Sequence, residues 1–94
     1  RLCISYWTIE SKGFAPRELR RRFGPWVFGC DVCSEVCPFG DGAPGSAFDF
    51  GHHPALERFA LEDLFALDEP GFAGAFAGSA LRRPGRAGLL RNAA

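Results

Sequence analysis

Residues 30–38 read Cys30-Asp31-Val32-Cys33-Ser34-Glu35-Val36-Cys37-Pro38. The spacing is C-x2-C-x3-C-P, and the fourth cysteine of the chain, Cys3, lies upstream. Thiolates a few residues apart can converge on one metal centre without a long loop to order. A Cys-Pro step at the end of such a run marks bacterial-type cluster binding, because proline cannot donate a backbone hydrogen bond and turns the chain away after the last ligand. Gly29, just before Cys30, lets the backbone pass close to a bulky inorganic core. Two other uses of four cysteines stay open. Disulfides form in secreted domains, and no secretory signal is visible here. A structural zinc would take Cys3, Cys30, Cys33 and Cys37, although zinc sites commonly draw on two C-x2-C-like pairs and this chain has one pair and a distant Cys3. The iron–sulfur reading is favoured, chiefly on the C-x3-C-P ending.

The ligand arithmetic extends that reading. In two-cluster ferredoxin-like units, the cysteine before proline serves the other cluster. Cys37 is then one ligand of a cluster whose other three lie outside this sequence. Cys3, Cys30 and Cys33 are three ligands of a second cluster that also lacks one cysteine. The expectation is two 4Fe-4S clusters sharing ligands with an absent upstream C-x2-C-x2-C-x3-C-P run. Position 1 is Arg, which agrees with a piece of a longer chain.

The rest of the composition sets limits. Ninety-four residues allow one small domain, or one and a fragment of another. Apolar residues make up 47%, too many for a disordered tail. No apolar run approaches the roughly 20 residues of a membrane span. The net charge is zero, yet residues 1–30 carry six basic residues against two acids, residues 31–70 one against nine, and residues 71–94 four against none. Ten of the eleven basic residues are Arg, whose planar fork grips phosphate. Basic ends of this kind meet nucleic acid or form a solvated surface.

Residues 1–10 are rich in β-branched and aromatic types, which favours a strand; a short helix with Cys3, Tyr6 and Trp7 on one face matches equally well. Pro16 opens a helix to about Phe23, closed by Gly24-Pro25. Asp41 to Gly51 is a Gly/Pro/Ala/Ser-rich connector. Pro54 starts a helix to about Leu67, with Leu56, Phe59, Ala60, Leu64 and Leu67 on one face. Phe72 and Phe76 mark a second, weaker helix ending at Gly78. Arg82 to Gly85 is a turn, and Arg86 to Ala94 a third helix. The short helices resemble the start of a helical-repeat array. The predicted fold class is α+β and mostly helical. Its parts are a partial ferredoxin-like double-cluster domain (1–41), a connector (42–53) and HEAT-like short helices (54–94). His52-His53 reads as a polar lead-in to the helix at Pro54 rather than a metal pair. The phenylalanines at 59, 65, 72 and 76 read as helix-packing core.

Cys3-Ile-Ser-Tyr-Trp-Thr-Ile-Glu10, Gly13, Pro16-Arg-Glu-Leu19 and Phe28-Gly-Cys-Asp-Val-Cys-Ser-Glu-Val-Cys-Pro-Phe39 together resemble the epoxyqueuosine reductase family. Gly78-Ser79, Arg83, Gly85-Arg86 and Gly88-Leu-Leu-Arg-Asn-Ala93 resemble its helical-repeat region. That family is similar to the reductive dehalogenases. It joins a cobalamin-binding reductase domain, a double-cluster ferredoxin domain and C-terminal HEAT-like helices, and it reduces epoxyqueuosine to queuosine in certain tRNAs. The resemblance implies electron flow through the clusters to a cobalamin held mainly by a domain absent from this sequence. It implies cluster ligation by Cys3, Cys30, Cys33 and Cys37, and places Ser5, Asp31 and Val32 near the cobalamin. It implies tRNA contact at Lys12, with Arg82, Arg83 and Arg86 (and Arg91) as a basic patch for the RNA backbone. No catalytic residue is expected in this segment. The resemblance further implies a reduced donor of flavodoxin or ferredoxin type, a monomeric full-length chain and a cytoplasmic location. Trp7 stands where the family usually has Leu, and Phe39-Gly40 replaces its usual Trp-Asn. The competing readings are a ferredoxin-like electron carrier or a subunit of another oxidoreductase, and a zinc-stabilised RNA-binding module. The basic helical tail argues against a simple ferredoxin, which has no use for it.

Overall fold

The computed structural model describes residues 2–40 and 51–94. Most of the connector expected at 42–53 lies outside the described residues. Among the described residues the secondary structure is entirely helical. The helices are α1 (Arg17–Phe23), α2 (Val32–Glu35), α3 (Pro54–Arg58), α4 (Asp63–Ala66), α5 (Glu69–Ala75) and α6 (Gly85–Ala93). A π-helical turn spans Tyr6–Glu10, and a 3-10 turn spans Ala80–Arg82. No helix is long and apolar enough to cross a membrane, among the described residues.

The β component of the expected α+β class has no strand among these residues, and residues 4–10 take the helical alternative. Strand propensity yields there because the segment's hydrogen bonds are met locally and from α6. The Ser11 amide donates to the Tyr6 carbonyl at 2.9 Å, an i→i+5 bond that widens the turn. The Thr8 hydroxyl donates to the Ile4 carbonyl at 2.9 Å, one turn back.

Local rules account for the other ends. Pro16 caps α1, Glu18 sits in its first turn and Arg20, Arg21 and Arg22 in its last, matching the helix dipole. Gly24 then takes a positive φ of 55°, which an L side chain rarely adopts, and stops it. The Asp68 carboxylate accepts from the Gly71 amide at 2.7 Å and starts α5, with Pro70 in its first turn.

The single helix expected over 54–67 divides in two. Phe59 is extended (φ −102°, ψ 112°) and ends α3. Asp63 reaches back to the Ala60 amide at 2.9 Å and restarts the chain as α4. The break turns Phe59 edge-on to Phe76, with ring centroids 5.0 Å apart.

The core is Leu64, Phe72, Phe76 and Leu89. Val27 and Phe28 of the cysteine-bearing segment pack against it together with Phe59, Leu67, Leu81 and Leu90. Phe76 is the centre: 1% exposed, it meets Phe59 and Phe72 at 5.0 Å each. Phe65, expected in the core, is 55% exposed because α4 is one turn long and buries only Leu64. The helical tail and the cysteine-bearing segment thus share one core, which fixes their mutual placement.

Candidate metal centre

The cysteines sit on short, well-tied pieces of backbone. Cys3 lies just before the first helical turn and is exposed. Cys30 follows Gly29, whose φ of 69° turns the chain into the motif. Cys33 lies within α2 and is exposed, while Cys30 and Cys37 are half-buried. All four are free thiols, so the disulfide alternative is not realised. Beyond α2 the chain folds tightly: the Cys37 amide donates to the Ser34 carbonyl at 3.2 Å, and the Gly40 amide to the Cys37 carbonyl at 2.9 Å. Phe39, two residues past Cys37, is 91% exposed.

Two hydroxyls join the Cys3 end to the Cys30 end. The Ser5 hydroxyl donates to the Cys30 carbonyl at 3.2 Å. The Thr8 hydroxyl, in a side chain 2% exposed, accepts from the Gly29 amide at 3.1 Å while donating to Ile4. This is the work a buried hydroxyl can do as one donor and an acceptor.

Two residues of α6 complete the frame. The Asn92 amide donates to the Thr8 carbonyl at 2.8 Å and to the Val27 carbonyl at 2.9 Å. The Arg91 guanidinium donates to the Ser11 carbonyl at 2.7 Å, to the Trp7 carbonyl at 3.3 Å and to the Asn92 Oδ1 at 3.1–3.2 Å. A cation is favoured at the carbonyl end of a helical segment. Arg91, expected in the outward basic patch, is instead turned inward, and Asn92 and Thr8, for which no role is expected, join it. The only signal in the sequence was an Arg-Asn pair near a helix end.

The remaining predicted site residues are placed as follows. Asp31 and Val32 open α2 and are exposed, and the Asp31 carbonyl accepts from the Ser34 and Glu35 amides at 2.8 and 2.9 Å. Lys12 is exposed in the turn between the first helical segment and α1, a turn tied by the Ser11 hydroxyl to the Gly13 carbonyl. Arg82 is exposed. Arg83 pairs with Glu10 at 2.8 Å, which brings the basic tail beside the segment that leads into Lys12. Both partners of that pair are well exposed, so it contributes little stability. Arg86 is half-buried, with its Nε donating to the Leu67 carbonyl. His53 caps α3: Nδ1 accepts from the Ala55 amide at 3.3 Å, so Nε2 carries the proton it donates to the Ala77 carbonyl at 3.0 Å. Both of its ring nitrogens are engaged by backbone.

Among the described residues, no three His, Cys, Asp or Glu side chains lie together closely enough to hold a metal ion. The fit to an iron–sulfur cluster rests on donor chemistry: four free thiols without a histidine among them, with the backbone leading into Cys30 held by two hydroxyls and an amide side chain.

Comparison with known proteins bears on the same residues. Residues 1–40 match the family described as "4Fe-4S double cluster binding domain". Over its whole length the chain is 47% identical to a Pseudomonas aeruginosa protein and 45% identical to one from Francisella cf. novicida, covering 26% of each. It is 42% identical to one from Cellulophaga algicola, with 96% of this chain and 30% of that protein aligned. All three relatives carry the name epoxyqueuosine reductase. The chain therefore spans about a quarter of the length of the curated relatives it matches. No solved structure matches it significantly.

Proposed function

We propose that this chain, related over its whole length to the epoxyqueuosine reductases, is the cluster-bearing segment and first HEAT-like helices of such an enzyme. The observation that carries the reading is the similarity at 42–47% identity to proteins of that name, running through residues 41–94 as well as the cysteine motif. A ferredoxin-like carrier accounts for residues 1–40 alone.

In this reading Cys3, Cys30 and Cys33 supply three thiolates to one 4Fe-4S cluster and Cys37 supplies one to the other. The remaining ligands come from a part of the enzyme outside this chain. Bound by these thiolates, the clusters would supply one-electron transfer from a reduced donor of flavodoxin or ferredoxin type towards a cobalamin held mainly outside this chain, whose chemistry would be the reduction of epoxyqueuosine in tRNA. The chain's own residues do three things. The Ser5 and Thr8 hydroxyls hold the Cys30 backbone against the first helical segment. Ser5, with its hydroxyl on the Cys30 carbonyl, and Asp31 and Val32, exposed at the start of α2, are the residues offered to the cobalamin. Lys12, Arg82 and Arg83 form the part of the basic surface that meets the tRNA backbone, with Arg83 beside Glu10 of the cluster-bearing segment. Arg86, engaged with Leu67, adds its charge from within the fold.

The test is anaerobic iron and acid-labile sulfide analysis of the full-length protein carrying this chain, followed by assay of queuosine in tRNA. About eight iron and eight sulfide per chain, with broad brown absorbance, support the two-cluster reading. About one zinc and no sulfide overturn it.

A further inference from the structure

The cysteine motif is held from behind by a residue of the helical tail. Asn92 lies 62 positions after Cys30 in the chain. Its amide spans two segments, donating to the Thr8 carbonyl at 2.8 Å and to the Val27 carbonyl at 2.9 Å. An amide has two donor hydrogens, and both are committed here. The orientation is unambiguous, because Oδ1 accepts from Arg91 Nε at 3.2 Å and from an Arg91 terminal nitrogen at 3.1 Å. Arg91 is in turn fixed by the Trp7 and Ser11 carbonyls.

From those two carbonyls the path to the ligand loop is short. Val27 precedes Cys30 by three residues, and Val27 and Phe28 also pack on the core. Thr8 holds the Gly29 amide, and Ser5 holds the Cys30 carbonyl. Residues 27–30 are therefore pinned at Val27, Gly29 and Cys30. Gly29 at φ 69° is the pivot, with no side chain to resist rotation if the pins are released. Outer partners that fix ligand orientation are known to tune metal sites, and cluster potentials respond to burial and to hydrogen bonding around the sulfurs.

We propose that Asn92, oriented by Arg91, is a positioning residue for the cluster bound through Cys30, so that the helical tail sets the geometry and potential of that cluster and leaves the cluster completed by Cys37 unaffected. The inference rests on the two-cluster reading above. Cys37 lies beyond α2, and its backbone is tied to Ser34 and Gly40, not to the Asn92 frame.

The experiment is an EPR-monitored redox titration of the full-length protein carrying this chain, as wild type and as Asn92→Ala, with iron and sulfide counted on both. The expected result is a shifted potential and altered line shape for one cluster only, at unchanged iron content, with faster amide exchange at residues 27–30. Neither cluster moving, or both moving equally, overturns the proposal. Should Asn92→Ala not fold, Arg91→Lys keeps the positive charge but removes the fork that orients the amide, and a smaller shift in the same single cluster is expected. An unshifted Arg91→Lys protein overturns the proposal, and so does the failure of both variants to fold, which reduces the pair to a structural brace. A wild-type protein without acid-labile sulfide instead sinks the cluster reading and the proposal with it, so the two failures are told apart.

Discussion

The hydroxyl of Thr8 accepts the amide hydrogen of Gly29 at 3.1 Å, across 21 residues of chain. That one bond joins the first helical segment to the residue immediately before Cys30. Thr8 is the buried polar residue of the described structure, and its carbonyl is taken up by Asn92. Replacing it with Val keeps the shape and leaves the Gly29 amide without its partner. The expected cost is about 1–3 kcal/mol. Denaturant unfolding of the full-length protein measures it, and a Thr8→Ser variant should recover most of the loss.

Phe76 is the residue on which the core turns. Truncation to Ala removes its contacts with Phe59 and Phe72 and leaves a cavity beside Leu64 and Leu89. The expected destabilisation is about 3–5 kcal/mol, against far less for Phe65→Ala, whose ring is 55% exposed. Side-by-side melts of the two variants check the contrast.

Gly88 is buried in α6 opposite Pro84. A Cβ built on Gly88 would stand 2.8 Å from the Pro84 Cβ, and a proline ring cannot swing away. Gly88→Ala is therefore expected to destabilise by about 1–3 kcal/mol, although alanine is the better helix former. A stabilised Gly88→Ala protein would contradict this packing.

Cys33→Ala and Cys37→Ala separate the two ligand sets. Each variant is expected to retain about half of the wild-type iron and sulfide, and the EPR signal retained should differ between them. Identical residual spectra would show that the two cysteines serve one cluster.

Arg82 is exposed, while Arg91 is committed to backbone carbonyls. Arg82→Gln should weaken tRNA binding by the full-length protein and reduce the slope of log affinity against log salt by about one phosphate contact. Binding measured across a salt series gives that slope directly, and an unchanged slope removes Arg82 from the RNA surface.

Much of the local structure was legible from residue types alone. The C-x2-C-x3-C-P spacing pointed to iron–sulfur chemistry, in agreement with the family match over residues 1–40, because donor type and spacing are properties of the chain itself. Pro16 and Gly24 bounded α1, because proline geometry and glycine's freedom at positive φ act within a few residues, and the last helix, expected over Arg86 to Ala94, forms one residue earlier over Gly85–Ala93. The zero net charge with basic ends was equally plain.

Other features depended on partners far away in sequence. Residues 4–10 carry strand-forming side chains but fold as helix, since α6 supplies donors to their terminal carbonyls. The pattern from Leu56 to Leu67 has helical period, yet Phe59 leaves the helix because Phe76 offers it an edge-to-face contact and Asp63 can restart the chain. Arg91 looks outward in composition and turns inward in space, because the Ser11 and Trp7 carbonyls lie within its reach. The amino-acid sequence by itself determined which thiols the chain offers and where α1 begins and ends, since those depend on neighbours along the chain. Only the tertiary structure decided which carbonyls Asn92 reaches, which aromatic rings meet and how residues 27–30 are held, since those depend on residues up to 84 positions apart being folded against one another.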